Sequence, residues 1–178
     1  MRRVHTPPLQ GGVVDYLPQT ALPDGGEEAS RFTETCYRAE KIALRLIARA
    51  EQNSLGLAAK LERRGFDAVV VKTVISRLFG RNLLDDGRYA GLWVRSRLAL
   101  KKAPSPQWLL AALRKRGIDR NVSLKAIDAV LDPQTEYELL LRYMEQARFP
   151  RSKMAFSLRA QLKYEGFSSA VLDTYFDN

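Results

Sequence analysis

One cysteine, one histidine and no long apolar run among 178 residues remove several classes of protein at once. Cys36 alone forms no intrachain disulfide, and with His5 as the sole imidazole the chain cannot furnish the four Cys and His ligands that structural zinc takes. His5 lies in a proline-rich N-terminal stretch, a poor place to hold a general base or triad member rigidly. Apolar runs such as Trp108 to Leu113 fall far short of the roughly 20 residues that cross a bilayer, and Met1-Arg2-Arg3 leads into no apolar signal core. A cytoplasmic protein without membrane contact is expected. The phosphate loop GxxxxGKS/T, the dinucleotide motif GxGxxG, the hydrolase elbow GxSxG and the zincin HExxH are missing too. No cofactor, metal or enzymatic reaction is indicated.

What the chain does have is helical pattern and positive charge. Residues 1 to 33 hold four of the eight prolines and the pairs Gly11-Gly12 and Gly25-Gly26, and read as a mobile N-terminal arm. Beyond it no segment alternates strictly, and the run through Val69, Val70, Val71, Val74, Ile75, Leu78 and Phe79 has the spacing of a helix buried on one side. Pro104, Pro106, Pro133 and Pro150 fall where helices should be separated. The body is expected to be all-α.

An internal repeat sets the architecture. The segments LERRGF (61 to 66), LRKRGI (113 to 118) and LKYEGF (162 to 167) align on glycines 52 and 49 residues apart, with Leu57, Leu109 and Leu158 eight residues before and Val70, Val122 and Val171 five after. Such a period argues for stacked helical units. Each hexamer reads as a helix stop in which the glycine turns left-handed and the next apolar residue folds back on the leucine. Asp67, Asp119 and Ser168 are placed to cap the following helix, and Ser54, Ser105 and Ser152 the helix entering each stop. A longer helix precedes each pair, over about 34 to 50, 86 to 102 and 135 to 148. The expectation is three tandem three-helix repeats, at 34–82, 83–132 and 133–178, in an elongated, curved stack.

Charge is uneven along these units. Residues 1 to 37 carry three basic and five acidic side chains, residues 38 to 131 carry 20 and eight, and the remainder six and seven. Arg38, Lys41, Arg45 and Arg49 recur at helical spacing opposite Ile42 and Ile47, while Arg88, Arg95 and Lys102 repeat every seven residues with Arg97 and Lys101 alongside. Any one of these fits a solvated face, but the collective asymmetry suits a polyanion or an acidic protein surface. Arg63-Arg64 and Lys115-Arg116 also meet the negative end of a helix dipole. Asp85-Asp86 directly precede a helix, which favours capping over metal binding. Trp93, Trp108, Tyr89, Tyr137 and Tyr143 sit in apolar patterns and are assigned to the core rather than to base stacking, which needs exposed rings.

A set of these residues resembles the RecX family: Ala43-Leu44, Leu46, Arg49, Ser54, Leu57, Lys60-Leu61 and Gly65-Phe66, then Leu84-Asp85-Asp86 with Arg88-Tyr89-Ala90, then Leu113, Lys115 and Gly117-Ile118. The resemblance covers about residues 40 to 178 and is strongest over the first two repeats. It departs at Ala103-Pro104-Ser105-Pro106, where the family often has a glycine. The resemblance implies a non-enzymatic regulator of RecA that binds the RecA–DNA filament and inhibits recombinase, ATPase and co-protease activities. On that reading Arg38, Lys41, Arg45, Arg49, Arg88, Arg95 and Lys102, with Lys115 and Arg116, form the surface for the RecA filament, with single- or double-stranded DNA met through the basic face. The rivals are a basic nucleic-acid-binding module independent of RecA and a protein scaffold indifferent to DNA. With no heptad seam, a monomer is expected.

Overall fold

A computed structural model describes residues 26–147 and 155–177. The described residues form helices and connecting turns, with no strand: α1 (Gly26–Arg49), α2 (Ser54–Glu62), α3 (Ala68–Gly80), α4 (Asp86–Leu98), α5 (Pro106–Lys115), α6 (Arg120–Asp128), α7 (Pro133–Ala147), α8 (Ala155–Tyr164) and α9 (Ser169–Asp177). Three three-helix repeats follow one another. In each, the first helix packs on the third, α1 on α3, α4 on α6 and α7 on α9, and the second helix also packs on the third.

The first helix corrects the expected boundary at residue 34. Gly25-Gly26 reads as a breaker, yet α1 starts at Gly26. Glu27 and Glu28 occupy its first turn, where the dipole favours carboxylates, and Phe32 packs against the first core. The rest of the expected arm, residues 1–25, lies outside the described residues, as does Ser152.

All three glycine stops form. Gly65, Gly117 and Gly166 have φ of 84°, 80° and 91°, conformations that burden any residue with a Cβ. After each, the amide of Phe66, Ile118 or Phe167 donates back to Leu61, Leu113 or Leu162, at 3.4, 3.2 and 3.2 Å. The glycine amides donate to Glu62, Arg114 and Lys163, which completes the Schellman pattern. Ser105 caps α5, accepting from the Trp108 amide with Pro106 at the first helical position, and Asp119 caps α6. Asn53, not Ser54, occupies the cap position of α2. Ser54 is drawn away by a carboxylate 32 residues distant: its amide and hydroxyl donate to Asp86 at 2.7 and 2.6 Å.

The apolar interior divides in two. One core, around Cys36, Leu57, Leu61, Val74 and Leu78, belongs to the first repeat and is closed by Leu84 from the segment leading into α4. The other runs through both remaining repeats, from Ala90 and Trp93 through Leu109 and Leu113 to Leu140, Leu162 and Leu172. The joint between the first and second repeats is correspondingly polar, built from Ser54–Asp86, the Arg88–Glu51 ion pair at 2.8 Å, and Asn53 donating to the Arg116 carbonyl at 2.5 Å.

The same register recurs at both joints. The carbonyl before the glycine, of Arg116 or Glu165, accepts from the start of the second helix of the preceding repeat, from Asn53 or from the Gln107 amide at 2.9 Å. Gly117 rests on Leu55 and Gly166 on Pro106 and Gln107. Leu55 and Gln107 each stand ten residues before their own repeat's glycine. Gly65, in the first repeat, has no described residue within 4 Å of the place a Cβ would take.

Candidate functional site

The spacing of α1 sorts its residues by size and charge. Cys36, Ala39 and Ala43 are buried, and their small side chains let α1 lie close on α3. Burial pushes the Cys36 thiol above its ordinary range, the nearby Arg77 opposing this and Glu40 adding to it, so the thiol stays protonated. Arg38, Lys41, Arg45 and Arg49 are all exposed. Ile42 and Ile47 are half-buried against the first core. Glu40, the carboxylate within this span, is engaged by Arg81 at 2.5 Å and Arg77 at 3.9 Å, both from the third helix of the repeat or the residue after it. The α1 cations Arg38, Lys41, Arg45 and Arg49 form no ion pair with any described carboxylate. They project an uncompensated field into solvent.

The second group behaves less uniformly. Arg88 holds Glu51 and its charge is locally balanced, so it acts first as a tie between the repeats. Arg95, Lys102 and Lys115 are exposed. Arg116 is half-buried, donates to the Ala112 carbonyl at 2.8 Å, and lies 4.3 Å from the centre of the Trp93 ring. It therefore supports the second core as well as carrying charge. Arg64 and Arg63 donate to the Lys60 and Ala59 carbonyls, as the dipole reading expects. The Arg88–Glu51 and Ser54–Asp86 contacts bring the chain just beyond α1 to the first turn of α4, so the two basic helices succeed one another across the polar joint.

Asp85 caps α4, accepting from the Gly87 and Arg88 amides at 2.8 and 2.9 Å. Asp86 instead bridges the repeats, and burial pushes its carboxyl above the ordinary range against the two hydrogen bonds from Ser54, with Asp85 adding repulsion. The pair is structural. Among the described residues no group of His, Cys, Asp and Glu is arranged to hold a metal, and no helix is long and apolar enough to cross a membrane.

The aromatic residues divide against expectation. Trp93 is 9% exposed and lies in the second core, and Tyr89, Tyr137 and Tyr143 pack against it. Trp108 is 50% exposed. In the run Trp108 to Leu113 one helix face takes Leu109, Leu110 and Leu113 into the core, and Trp108 is left outside that face. Its ring stacks on Trp93 with centroids 6.0 Å apart and planes 22° from parallel. Beside it is a cleft of about 460 Å³, walled by Arg97, Lys102, Pro104, Trp108, Tyr143 and Glu165. Arg97 lies 5.2 Å from the Trp93 ring, and its Nε is buried with no hydrogen-bond partner among the described residues. Burial pushes the Tyr143 hydroxyl up, helped by the charge of Glu165 and a hydrogen bond to it. Lys102 and, through Trp93, Arg116 are thus brought to one cluster that also includes Arg97 and Trp108.

Comparison with known proteins places the chain in one group. Residues 85–127 match the family described as RecX, second three-helix domain. The chain is 36% identical over 141 residues to the regulatory protein RecX of Treponema pallidum, covering 79% of this chain and 85% of that protein. It is 33% identical over 143 residues to regulatory protein RecX of Syntrophotalea carbinolica, covering 75% and 91%. The crystal structure of RecX from Lactobacillus salivarius superposes with a TM-score of 0.61 at 19% identity, over 82% of this chain and 96% of that one. A second crystal structure of regulatory protein RecX gives 0.65 at 20% identity, over 93% and 86%.

Proposed function

The chain belongs to the RecX family, and from that premise we propose that it regulates RecA without catalysing a reaction. It binds the RecA–DNA filament, seated along the helical groove, and inhibits recombinase, ATPase and co-protease activities. The observation that carries this beyond family membership is the row Arg38, Lys41, Arg45 and Arg49, exposed and unpaired with any described carboxylate; on the next repeat Arg95 of α4 and Lys102, beyond the end of that helix, are exposed too. Such a row suits acidic protein surface or phosphates. A series of repeats suits it to neighbouring subunits of a polymer, because each repeat presents its first helix in a similar setting.

The test is RecA's hydrolysis of ATP on single-stranded DNA, titrated with this protein at low and moderate salt. Inhibition at protein levels well below RecA, too low to coat the DNA, supports a filament regulator. Inhibition only at levels that saturate the DNA favours the rival reading, a basic nucleic-acid-binding module independent of RecA. The exposed Trp108 favours direct contact with nucleic acid in either case.

A further inference from the structure

We infer that Trp108 and the cleft beside it form a stacking site for one unpaired base of a single-stranded nucleic acid, with Lys102 meeting the adjoining phosphate. The inference deepens the DNA contact in the functional reading above, and it stands or falls without RecA.

The platform is built before any ligand arrives. The Ser105 hydroxyl accepts from the Trp108 amide at 3.2 Å and Pro106 fixes the first turn of α5, so the backbone carrying the indole is held at its root. The ring is supported by Trp93, which is almost fully buried and is itself set against Arg116 at 4.3 Å and Arg97 at 5.2 Å. An exposed indole on a rigid support gives up little rotamer freedom on binding. Half of its surface remains open, unlike that of Trp93.

The charges around it select the kind of ligand. Arg97 and Lys102 wall the cleft, Lys101 is exposed beside Lys102 in the chain, and Glu165 is the carboxylate facing them, already engaged with Tyr143. A flat ring joined to an anion fits this distribution: the ring on the indole, the phosphate on Lys102. Single-stranded nucleic acid offers such units without the cost of unpairing a duplex.

The site is tested with oligodeoxythymidylate and an abasic oligonucleotide of equal length, using the full chain, with no RecA present. Binding is followed by anisotropy of the labelled strand and by quenching of tryptophan emission. Trp108→Ala is expected to weaken oligodeoxythymidylate binding roughly tenfold with the slope against salt unchanged, since the phosphate contacts remain. Trp108→Phe keeps a ring and retains most of the affinity; its residual Trp93 emission is not quenched. The abasic strand should bind wild type about as weakly as the thymidylate strand binds Trp108→Ala. Lys102→Ala should lower the salt slope by about one. Equal affinity of wild type and Trp108→Ala, equal affinity for abasic and normal strands, or no detectable binding by wild type overturns the inference. So does a Trp108→Ala protein that binds the oligonucleotide normally but no longer binds RecA filaments, which would make the indole a protein contact. If RecA is unaffected while stacking is observed, the regulator reading fails and the site stands.

Discussion

Gly117 lies directly on Leu55: a Cβ built at the glycine would come 2.5 Å from the leucine Cδ2 and 2.8 Å from its Cβ. The contact joins the turn of the second repeat to the first turn of α2, 62 residues earlier in sequence. It makes this glycine answer to two constraints, the left-handed backbone and the room left by a neighbour.

Alanine at the three turn glycines should therefore act unequally. Gly65→Ala meets open space and carries only the left-handed penalty, about 1–2 kcal/mol. Gly117→Ala carries the same penalty and must also displace Leu55, so it should cost about 1 kcal/mol more at least. Gly166→Ala meets the Gln107 backbone nitrogen at 3.0 Å and should likewise exceed Gly65→Ala. Urea unfolding of the three variants ranks them, and equal losses would remove the joint's claim on the glycines.

The Ser54–Asp86 link gives a second ranking. Asp86→Ala leaves the Ser54 amide and hydroxyl without their acceptor and should cost about 1–3 kcal/mol. Asp86→Asn can accept from the amide and donate to the hydroxyl without carrying the buried charge, so it should lose far less than Asp86→Ala. Thermal or urea melts at neutral pH separate the two outcomes.

The same residue predicts a pH effect of known sign. Burial holds the Asp86 carboxyl above its ordinary 3.8, so the folded chain takes up that proton before the unfolded chain does. Its ionised form is a burden above the raised folded value, and the burden is relieved as pH falls through that value towards 3.8. Wild type should gain on Asp86→Asn over that window. Asp132 acts oppositely: its carboxyl accepts from the Thr135 amide and hydroxyl and is held below 3.8, so its stabilisation is present above 3.8 and lost as pH falls through the lower folded value. Urea midpoints for wild type and Asp86→Asn across the acid range test the first sign. NMR titration of the two carboxyls tests both.

Reversing charge on α1 should separate binding from folding. Arg38→Glu with Arg45→Glu touches two exposed side chains with no described ion-pair partner, so the melting temperature should move little. Inhibition of RecA ATP hydrolysis should fall roughly tenfold or more, the equivalent of about 1.4 kcal/mol of lost binding. Arg88→Ala instead removes a partly exposed ion pair to Glu51, worth about 0–1 kcal/mol, and should affect inhibition less. Retention of full inhibition by the double reversal would discard the α1 surface.

Much of this architecture is legible in the sequence because its determinants are local. A helix stop is written within six residues, and Leu61 to Phe66, Leu113 to Ile118 and Leu162 to Phe167 all fold as their pattern dictates. The departures share a different origin. Gly25-Gly26 signals a break, but Phe32 packing on the first core outweighs it. Ser54 has a capping side chain, but Asp86 competes for it from the next repeat. Trp108 belongs to an apolar run, yet only one helix face reaches the core, and its phase against Leu109, Leu110 and Leu113 is the signal that places it outside. Arg116 reads as a surface charge, and only the fold puts the Trp93 ring beneath it.

The ten-residue register shared by Leu55 and Gln107 makes each repeat a unit of length as well as of packing. A turn that ends one unit fits the start of the second helix in the unit before, and what both fits share is a backbone carbonyl and a glycine, the donor being the Asn53 side chain at one joint and the Gln107 backbone amide at the other. Duplication of a gene segment encoding one unit would therefore carry the carbonyl and the glycine of the seam with it and leave only the donor to be supplied. Among the described residues the Gly65 turn meets no such partner, so the room that Gly117 and Gly166 give to a neighbouring unit is left open there.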